Sequence, residues 1–280
     1  MFAPGLLSGR RALITGGGTG LGRAIARRYL QLGARIAICG RRLAVLEETA
    51  AALRAEIPGA DIAVYACDIR DAAAVEAMLD TVFAEGAPDI LVNNAAANFL
   101  AQTHRLSARA LDAVLATTLH GAAYCTMGVG RRWIEAGQPG VVLSILTLSA
   151  LQGAAFTVPS AMAKAGVLAM TQSLAVEWGR HGIRLVAIAP GTFPTEAAVA
   201  RLRPGGLDHG DVPLNRAGKH EELTDLAAYL VSENAGYITG ECVVIDGGRR
   251  YLGGARAGVR EMLGWDDAAW EKQREKTPKK

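Results

Sequence analysis

Residues 12–22 read ALITGGGTGLG, and this stretch decides the fold. Its apolar start predicts a buried β-strand, and a helical pattern follows the glycines. The glycines allow a tight turn and let the backbone approach a pyrophosphate, which the free N–H groups of the helix N-terminus can bind. The spacing is G-x-x-x-G-x-G, not the G-x-G-x-x-G of other dinucleotide folds, and a plain glycine-rich turn is the alternative. The predicted cofactor contacts here are Gly16, Thr19, Gly20, Leu21 and Gly22.

Short apolar runs alternate with helical patterns along the rest of the chain. The predicted strands are Ala12–Thr15, Arg35–Cys39, Ile62–Ala66, Ile90–Asn93, Val141–Leu146, Arg184–Ala189 and Cys242–Ile245. The predicted helices are Leu21–Leu32, Leu43–Ile57, Ala72–Ala84, Ala108–Trp133, Ala161–Trp178 and Glu222–Val231. Apolar strands separated by helices predict a parallel sheet covered on both faces. We therefore expect a single-domain α/β protein, a doubly wound Rossmann fold over residues 1–250 with a substrate loop at 191–213, followed by a polar tail at 251–280.

The composition argues against several classes of protein. Of the 280 residues 50% are hydrophobic and 20% are charged, and a net charge of +3 without a basic, aromatic stripe predicts no nucleic-acid partner. No run is apolar over the ~20 residues of a membrane helix, and the N-terminus lacks the apolar core of a signal peptide. The four cysteines are far apart, which favours free thiols in a reducing, cytoplasmic compartment. The histidines form no metal-spaced set, so no metal site is expected.

The residues that end the second predicted strand, ICGRR at 38–42, bear on the choice of cofactor. A protein that binds the free 2′-hydroxyl of NAD(H) would carry Asp or Glu there. Arginine instead suits the 2′-phosphate of NADP(H), and Arg41 is the predicted contact, with a solvated arginine at a helix start as the alternative. Asp68, after the third strand, is predicted beside the adenine, and Asn94, after the fourth, beside the adenosine.

Six pieces of sequence together resemble the short-chain dehydrogenase/reductase family over nearly the whole chain. They are TGGGTGLG, CD, NNAA, SAMAK, APGTFPT and YITGECVVIDGG. The resemblance implies a doubly wound sheet, hydride transfer on a nicotinamide, and homodimers or homotetramers built from the long helices. It also implies cofactor contacts at Pro190 and Gly191, and at Lys164, which would hold the nicotinamide ribose.

The stretch VPSAMAK, residues 158–164, departs from that family at the catalytic tyrosine. In the family a tyrosine donates a proton, and a lysine four residues later lowers its pKa. Here Ser160 stands in place of the tyrosine, one helical turn before Lys164, and Thr147 occupies the position of the family's hydroxyl residue after the fifth strand. A serine hydroxyl is too weakly acidic to replace tyrosine, so Ser160 is expected to be a hydrogen-bond partner of the substrate and not the acid.

Serine at this position resembles the 2,4-dienoyl-CoA reductase branch, as do the stretches NNAAANFL and FTVPSAMAKAGVLAM. The branch implies four residues of the substrate site. Arg70 would lie near the phosphates of the cofactor and of CoA, and Arg201 would face CoA. Phe99 and Ser107 would line the path of the acyl-CoA.

The chain also departs from this branch around the thioester oxygen. Some members place a tyrosine eleven residues before the serine and an asparagine just before the glycine at 121. This chain has Ser149 and His120 at those positions, and Ser149 is a further predicted residue of the substrate site. His120 is the titratable candidate for catalysis, since its unperturbed pKa is near neutrality, and a packed or solvated histidine is the alternative.

These observations predict an NADPH-dependent enzyme that reduces an unsaturated acyl thioester in fatty-acid β-oxidation. Hydride goes to a carbon remote from the carbonyl, so what catalysis needs is donors around the thioester oxygen, and loss of the tyrosine fits. Two alternatives stay open: an NADP-dependent oxidoreductase of another carbonyl or alcohol, and a catalytically impaired NADP-binding sensor or scaffold. The sequence does not determine the acyl chain or the position of the double bond. It also leaves open whether CoA or a carrier protein carries the thioester, which group donates the proton, and whether the protein is a dimer or a tetramer.

Overall fold

A seven-stranded, all-parallel sheet forms the centre of the protein. The computed structural model describes residues 2, 5–196, 199, 212–252 and 259–275. The strands are β1 Arg11–Thr15, β2 Arg35–Gly40, β3 Ile62–Ala66, β4 Ile90–Asn93, β5 Gly140–Ile145, β6 Ile183–Pro190 and β7 Cys242–Ile245. Their order in the sheet is β3-β2-β1-β4-β5-β6-β7, so the predicted doubly wound fold is confirmed.

Helices cover both faces of this sheet. The described helices are α1 Gly20–Gln31, α2 Leu43–Glu56, α3 Ala72–Glu85, α4 Ala108–Leu115, α5 Gly121–Glu135, α6 Ser149–Gln152, α7 Val158–Trp178, α8 His220–Val231, α9 Arg249–Leu252, α10 Val259–Met262 and α11 Asp267–Glu275. One core packs α1, α2 and α8 on the sheet, and a second core packs α3, α5 and α7 on the opposite face. None of the described helices combines the length and the apolarity needed to cross a bilayer.

Side chains alternate between these two cores along each strand. Ile14 of β1 faces the first core, whereas its neighbour Leu13 faces the second, and both are fully buried. Each side chain of a strand buried on both faces must therefore be apolar, which explains the continuous runs in the sequence. Trp133 of α5 is also fully buried, and its indole N–H donates to the carbonyl oxygen of Pro88 at 2.7 Å.

The structure differs from the predicted elements at three places on the catalytic side. The predicted helix at 108–133 is broken into α4 and α5 by a π-helical turn, Ala116–His120. The predicted start of α7 was late, because the helix begins at Val158 with Pro159 in its first turn, where a missing N–H has no cost. The short helix α6 carried no periodic signal and was not predicted.

The order of the strands determines where a ligand can bind. From β1 the sheet extends through β2 and β3 on one side and through β4 to β7 on the other. Connections therefore leave β1 and β4 in opposite directions, which opens a crevice at their carboxyl ends. The glycine-rich turn follows β1, and Asn94 follows β4, so both lie at this crevice.

Candidate active site

A cleft of about 620 Å³ lies at the carboxyl ends of the strands. This volume is in the range of small-molecule and cofactor sites. The residues lining the cleft come from the turn after β1, the ends of β2 to β5, helix α7 and the segment after β6. The predicted residues that line it are Gly16, Thr19, Gly20, Leu21, Arg41, Asp68, Asn94, Thr147, Ser160 and Lys164.

The glycine-rich turn forms the floor of this cleft and leaves no room for side chains. Gly16 and Gly20 have positive φ angles of 67° and 54°, which glycine adopts readily. A Cβ on Gly22 would lie 2.4 Å from the carbonyl oxygen of Gly16. Thr19, which precedes α1, makes no side-chain cap, so the first N–H groups of the helix are open to an anion. Gly22 does not line the cleft, but its lack of a side chain lets the backbone of the turn pack closely against the start of α1.

Hydrogen bonds hold the end of β4 against this turn. The Asn94 amide donates to the carbonyl oxygens of Thr15 at 2.9 Å and Gly16 at 3.2 Å. The Thr15 hydroxyl accepts from the backbone N–H groups of Asn94 at 3.0 Å and Ala95 at 3.1 Å. Asn94 therefore lines the cleft and also fixes the backbone on which a pyrophosphate would lie.

Two arginines and an aspartate form the end of the cleft beyond β2 and β3. Arg41 and Arg42 are exposed side chains that line it, and neither makes an ion pair within the described ranges. Asp68 is paired with Arg70, whose Nε donates to its two carboxylate oxygens at 2.9 and 3.0 Å. Hydrogen bonds from Arg70 are the main reason that the pKa of Asp68 is lowered. This pairing turns Arg70 onto Asp68, and Arg70 itself is not part of the lining.

Thr147, Ser160 and Lys164 come together at the opposite end, between β5 and α7. The Lys164 ammonium is buried and donates to the backbone carbonyl of Ile145. Burial alone lowers its pKa to about 8, because the charged form has lost its water. The Thr147 hydroxyl is hydrogen-bonded to that of Ser149, so two hydroxyls stand side by side after β5. Ser160 is buried beside them without a hydrogen bond in the described part of the chain.

Three further predicted residues that the structure describes do not line the cleft: His120, Ser107 and Phe99. His120 is exposed on the π-helical turn, with its ring 6.2 Å from that of Tyr124, and this placement does not support the predicted catalytic role. Ser107 caps α4 by accepting from the backbone N–H of Ala110 at 3.2 Å. Phe99 is half-buried outside the lining, and Arg201 lies outside the described residues.

Several cleft residues were not found from the sequence. Pro190 ends β6 and Gly191 follows it, and neither lines the cleft. Phe193 and Thr195, two and four residues beyond Gly191, line it instead. The stretch APGTFPT was the available signal, although it gives no side-chain direction. Thr117 also lines the cleft, because the π-helical turn directs it there, and no sequence pattern announced that turn.

Comparison with known proteins gives consistent results over most of the chain. A family model described as enoyl-(acyl carrier protein) reductase matches residues 16–250. An uncharacterized oxidoreductase of Caenorhabditis elegans is 44% identical over 276 residues, covering 96% of this chain and 88% of that protein. A probable 2,4-dienoyl-CoA reductase 3 of the same organism, named as (3E)-enoyl-CoA-producing, is 38% identical over 276 residues, covering 95% and 88%.

A solved structure extends the comparison to a bound cofactor. A protein of Agrobacterium tumefaciens, proposed to be a 2-deoxy-D-gluconate 3-dehydrogenase, was determined with bound NADP. It matches with a TM-score of 0.80 and 31% sequence identity, covering 89% of this chain and 100% of that one.

Proposed function

The chain belongs to the short-chain dehydrogenase/reductase family, and we propose that within it the protein is an NADPH-dependent reductase of unsaturated acyl thioesters, similar to the 2,4-dienoyl-CoA reductases. The observation that carries the proposal is the catalytic end of the cleft. Thr147, Ser160 and Lys164 are assembled there, and no tyrosine is among the described residues that line the cleft. Such a site has donors for a carbonyl oxygen but lacks the phenol that protonates an alkoxide.

The cofactor is a nicotinamide adenine dinucleotide, and the residues of the cleft fit it. The N-terminus of α1, with the turn from Gly16 to Gly20, would hold the pyrophosphate, and Lys164 would hold the nicotinamide ribose. When bound, the nicotinamide supplies a hydride. The choice of NADP(H) over NAD(H) is part of the proposal: Arg41 and Arg42 stand, without ion-pair partners in the described ranges, where a 2′-phosphate would lie.

The hydroxyl groups after β5 support a role at the thioester oxygen. Reduction of a conjugated thioester places negative charge on that oxygen while the new C–H bond forms farther along the chain. The hydroxyl of Thr147 and that of Ser160, which has no hydrogen-bond partner among the described residues, can donate hydrogen bonds to this charge. Ser149 does not line the cleft, but its hydroxyl is hydrogen-bonded to that of Thr147 and supports it from behind the lining. Donors fixed in a dry site are worth more than donors in water, since they need no reorganisation as the charge develops.

The proposal is tested by mixing purified protein, NADPH and a 2,4-dienoyl-CoA and following NADPH absorbance. We expect NADPH oxidation that depends on the dienoyl thioester, with Thr147→Ala and Ser149→Ala each lowering kcat by roughly tenfold or more, as for removal of a donor to an oxyanion. Tight NADPH binding without turnover on any enoyl or dienoyl thioester would refute the proposal and favour a sensor. Turnover of sugars or alcohols, without turnover of thioesters, would favour the hypothesis of an oxidoreductase that acts on another carbonyl or alcohol.

The proposed setting is cytoplasmic fatty-acid oxidation by a homo-oligomer that pairs its long helices. Exposed apolar side chains on these helices support the pairing, with Met127 of α5 59% exposed and Val176 of α7 86% exposed. Light scattering of the purified protein measures the oligomer, and Val176→Glu should shift it toward monomer.

A further inference from the structure

The proposed reaction needs a proton as well as a hydride, and the described part of the cleft offers few sources. Its titratable lining residues are Cys39, Arg41, Arg42, Cys67, Asp68 and Lys164. The first five follow β2 and β3, at the end of the cleft where the arginines lie. Lys164 alone stands beside Thr147 and Ser160, where the thioester is placed by the proposed function.

The surroundings of Lys164 suit a group that gives up its proton near neutral pH. Its ammonium is buried, and its hydrogen bond goes to an uncharged backbone carbonyl, that of Ile145. Desolvation is the cause of its lowered pKa, and no carboxylate of the described residues forms an ion pair with it. Enzymes lower lysine pKa values to this range when the amine must act in proton transfer.

Ionisable groups on the neighbouring elements do not change this environment. Helix α7 packs against α4, α5, α6, β6 and the π-helical turn. The ionisable groups on these elements toward the cleft are Arg109, Asp112, His120, Tyr124 and Cys125, whereas Arg184 lies at the far, amino-terminal end of β6. Burial is the cause of the lowered pKa of Lys164, and none of these groups adds to it.

We propose that the Lys164 ammonium is the acid that protonates the reduced substrate, in place of the absent tyrosine. This inference rests on the proposed function. Once the substrate has accepted a hydride at a carbon remote from the carbonyl, the displaced π electrons would form a dienolate on the thioester. A Lys164 N–H bond then breaks as its proton passes to a dienolate carbon, the electron pair stays on nitrogen, and water reprotonates the amine. The Ser160 hydroxyl lies one turn earlier on α7 and has no hydrogen-bond partner among the described residues, so it can relay this proton.

The inference is tested first by comparing two titrations of the same protein. Lys164 is one of six lysines, so ¹³C NMR of lysine labelled at Cε can follow its titration in the NADP⁺ complex, assigned by its loss in Lys164→Arg. Single-turnover reduction of a 2,4-dienoyl-CoA gives the pH dependence of the chemical step. We expect the rate to fall about tenfold per pH unit above the pKa that NMR measures. A kinetic pKa that differs by more than one unit from the pKa measured by NMR would overturn the inference.

The second test separates proton donation from cofactor binding. Lys164→Arg keeps the positive charge, but a guanidinium does not release a proton at these pH values. We expect NADPH affinity within about threefold of wild type and a loss of single-turnover rate of roughly a hundredfold or more. Lys219→Arg, at the exposed start of α8, is the matched control and should leave both unchanged.

The outcomes distinguish this inference from the function on which it rests. Full activity of Lys164→Arg, or a pH limb that disappears in His120→Gln, would overturn the lysine as donor while leaving thioester reduction intact. NADPH binding and a normal NMR titration without turnover of any thioester would overturn the proposed function, and the inference with it. Agreement of the NMR and kinetic pKa values, with a slow Lys164→Arg variant, supports both.

Discussion

Replacement of Gly22 by alanine tests whether the glycine-rich turn is a rigid cradle for the cofactor. The new Cβ would lie 2.4 Å from the carbonyl oxygen of Gly16 and 2.4 Å from Nδ2 of Asn94. Neither atom is free to move away, because the Asn94 amide donates to the backbone oxygens of Thr15 and Gly16. The clash is therefore relieved only by moving the turn itself.

The expected magnitude follows from that displacement. Overpacking a held site destabilises a protein by about 1–3 kcal/mol, and each kcal/mol lowers Tm by roughly 2–4 °C in a chain of this size. The effect on the cofactor is larger, because the N–H groups at the start of α1 move away from the pyrophosphate. Losing one charge-assisted hydrogen bond, worth about 1.5–3 kcal/mol, raises the Kd of NADPH by at least roughly tenfold.

Differential scanning fluorimetry and a fluorescence titration with NADPH measure the two effects. Gly179→Ala is the matched control, because Gly179 has a helical φ of −54° and nothing lies within 4 Å of its added Cβ. The control should leave the Kd unchanged and the Tm unchanged or slightly raised. Wild-type NADPH affinity in Gly22→Ala would refute the rigid cradle, whatever the Tm.

Three further predictions address the cofactor, the buried lysine and a helix cap. Arg41→Asp should raise the Kd of NADPH by roughly 10–100-fold and that of NADH much less, and equal effects in paired titrations would contradict the 2′-phosphate assignment. Lys164 has a folded-state pKa lowered from 10.5 to about 8, so between these values the unfolded chain binds more protons and stability of the cofactor-free protein rises with pH. Lys164→Met should remove this rise with pH and should be more stable than wild type at pH 7 by at most about 3 kcal/mol. Chemical denaturation from pH 7 to 10.5 measures both effects, and a variant less stable than wild type at pH 7 would contradict the expected direction of the change. Asp71 caps α3 by accepting from the backbone N–H of Ala73 at 2.9 Å. Asp71→Ala should therefore lower the free energy of unfolding by about 1 kcal/mol, measured by chemical denaturation, while an activity assay should show unchanged turnover per folded molecule.

The fold was predictable because its signal is local and repeated. Strands buried on both faces must be apolar throughout, and Leu13 and Ile14 show the reason, since successive side chains enter different cores. The breaks between elements were less predictable. The π-helical turn at Ala116–His120 is held by a contact that is distant in sequence, because the Thr118 hydroxyl accepts from the backbone N–H of Ala97, in the segment after β4, at 3.0 Å.

The two ends of the cleft also differ in how well the sequence predicts them. The cofactor end is a local motif, and Gly16, Gly20 and Arg41 line the cleft, while their contact with a cofactor stays a prediction. The substrate end depends on side-chain directions over long sequence distances. Arg70 was expected at a phosphate, yet it folds back onto Asp68, and His120, at the end of the π-helical turn, is exposed. Neither direction is encoded in the identity of the residue.

The missing tyrosine can mean a lost catalytic set or a different chemistry, and the burial of Lys164 favours the second. A buried ammonium without a carboxylate partner among the described residues destabilises the folded protein, so an apolar side chain would suit a scaffold better. Ribose binding explains a cation there, but it does not explain why none of the described carboxylates lies beside the amine to hold its proton. A proton donor needs that absence, because its pKa must lie near the working pH. The same burial that weakens the cofactor-free protein thus prepares the lysine for proton transfer, and Lys164→Met should gain stability and lose reduction together.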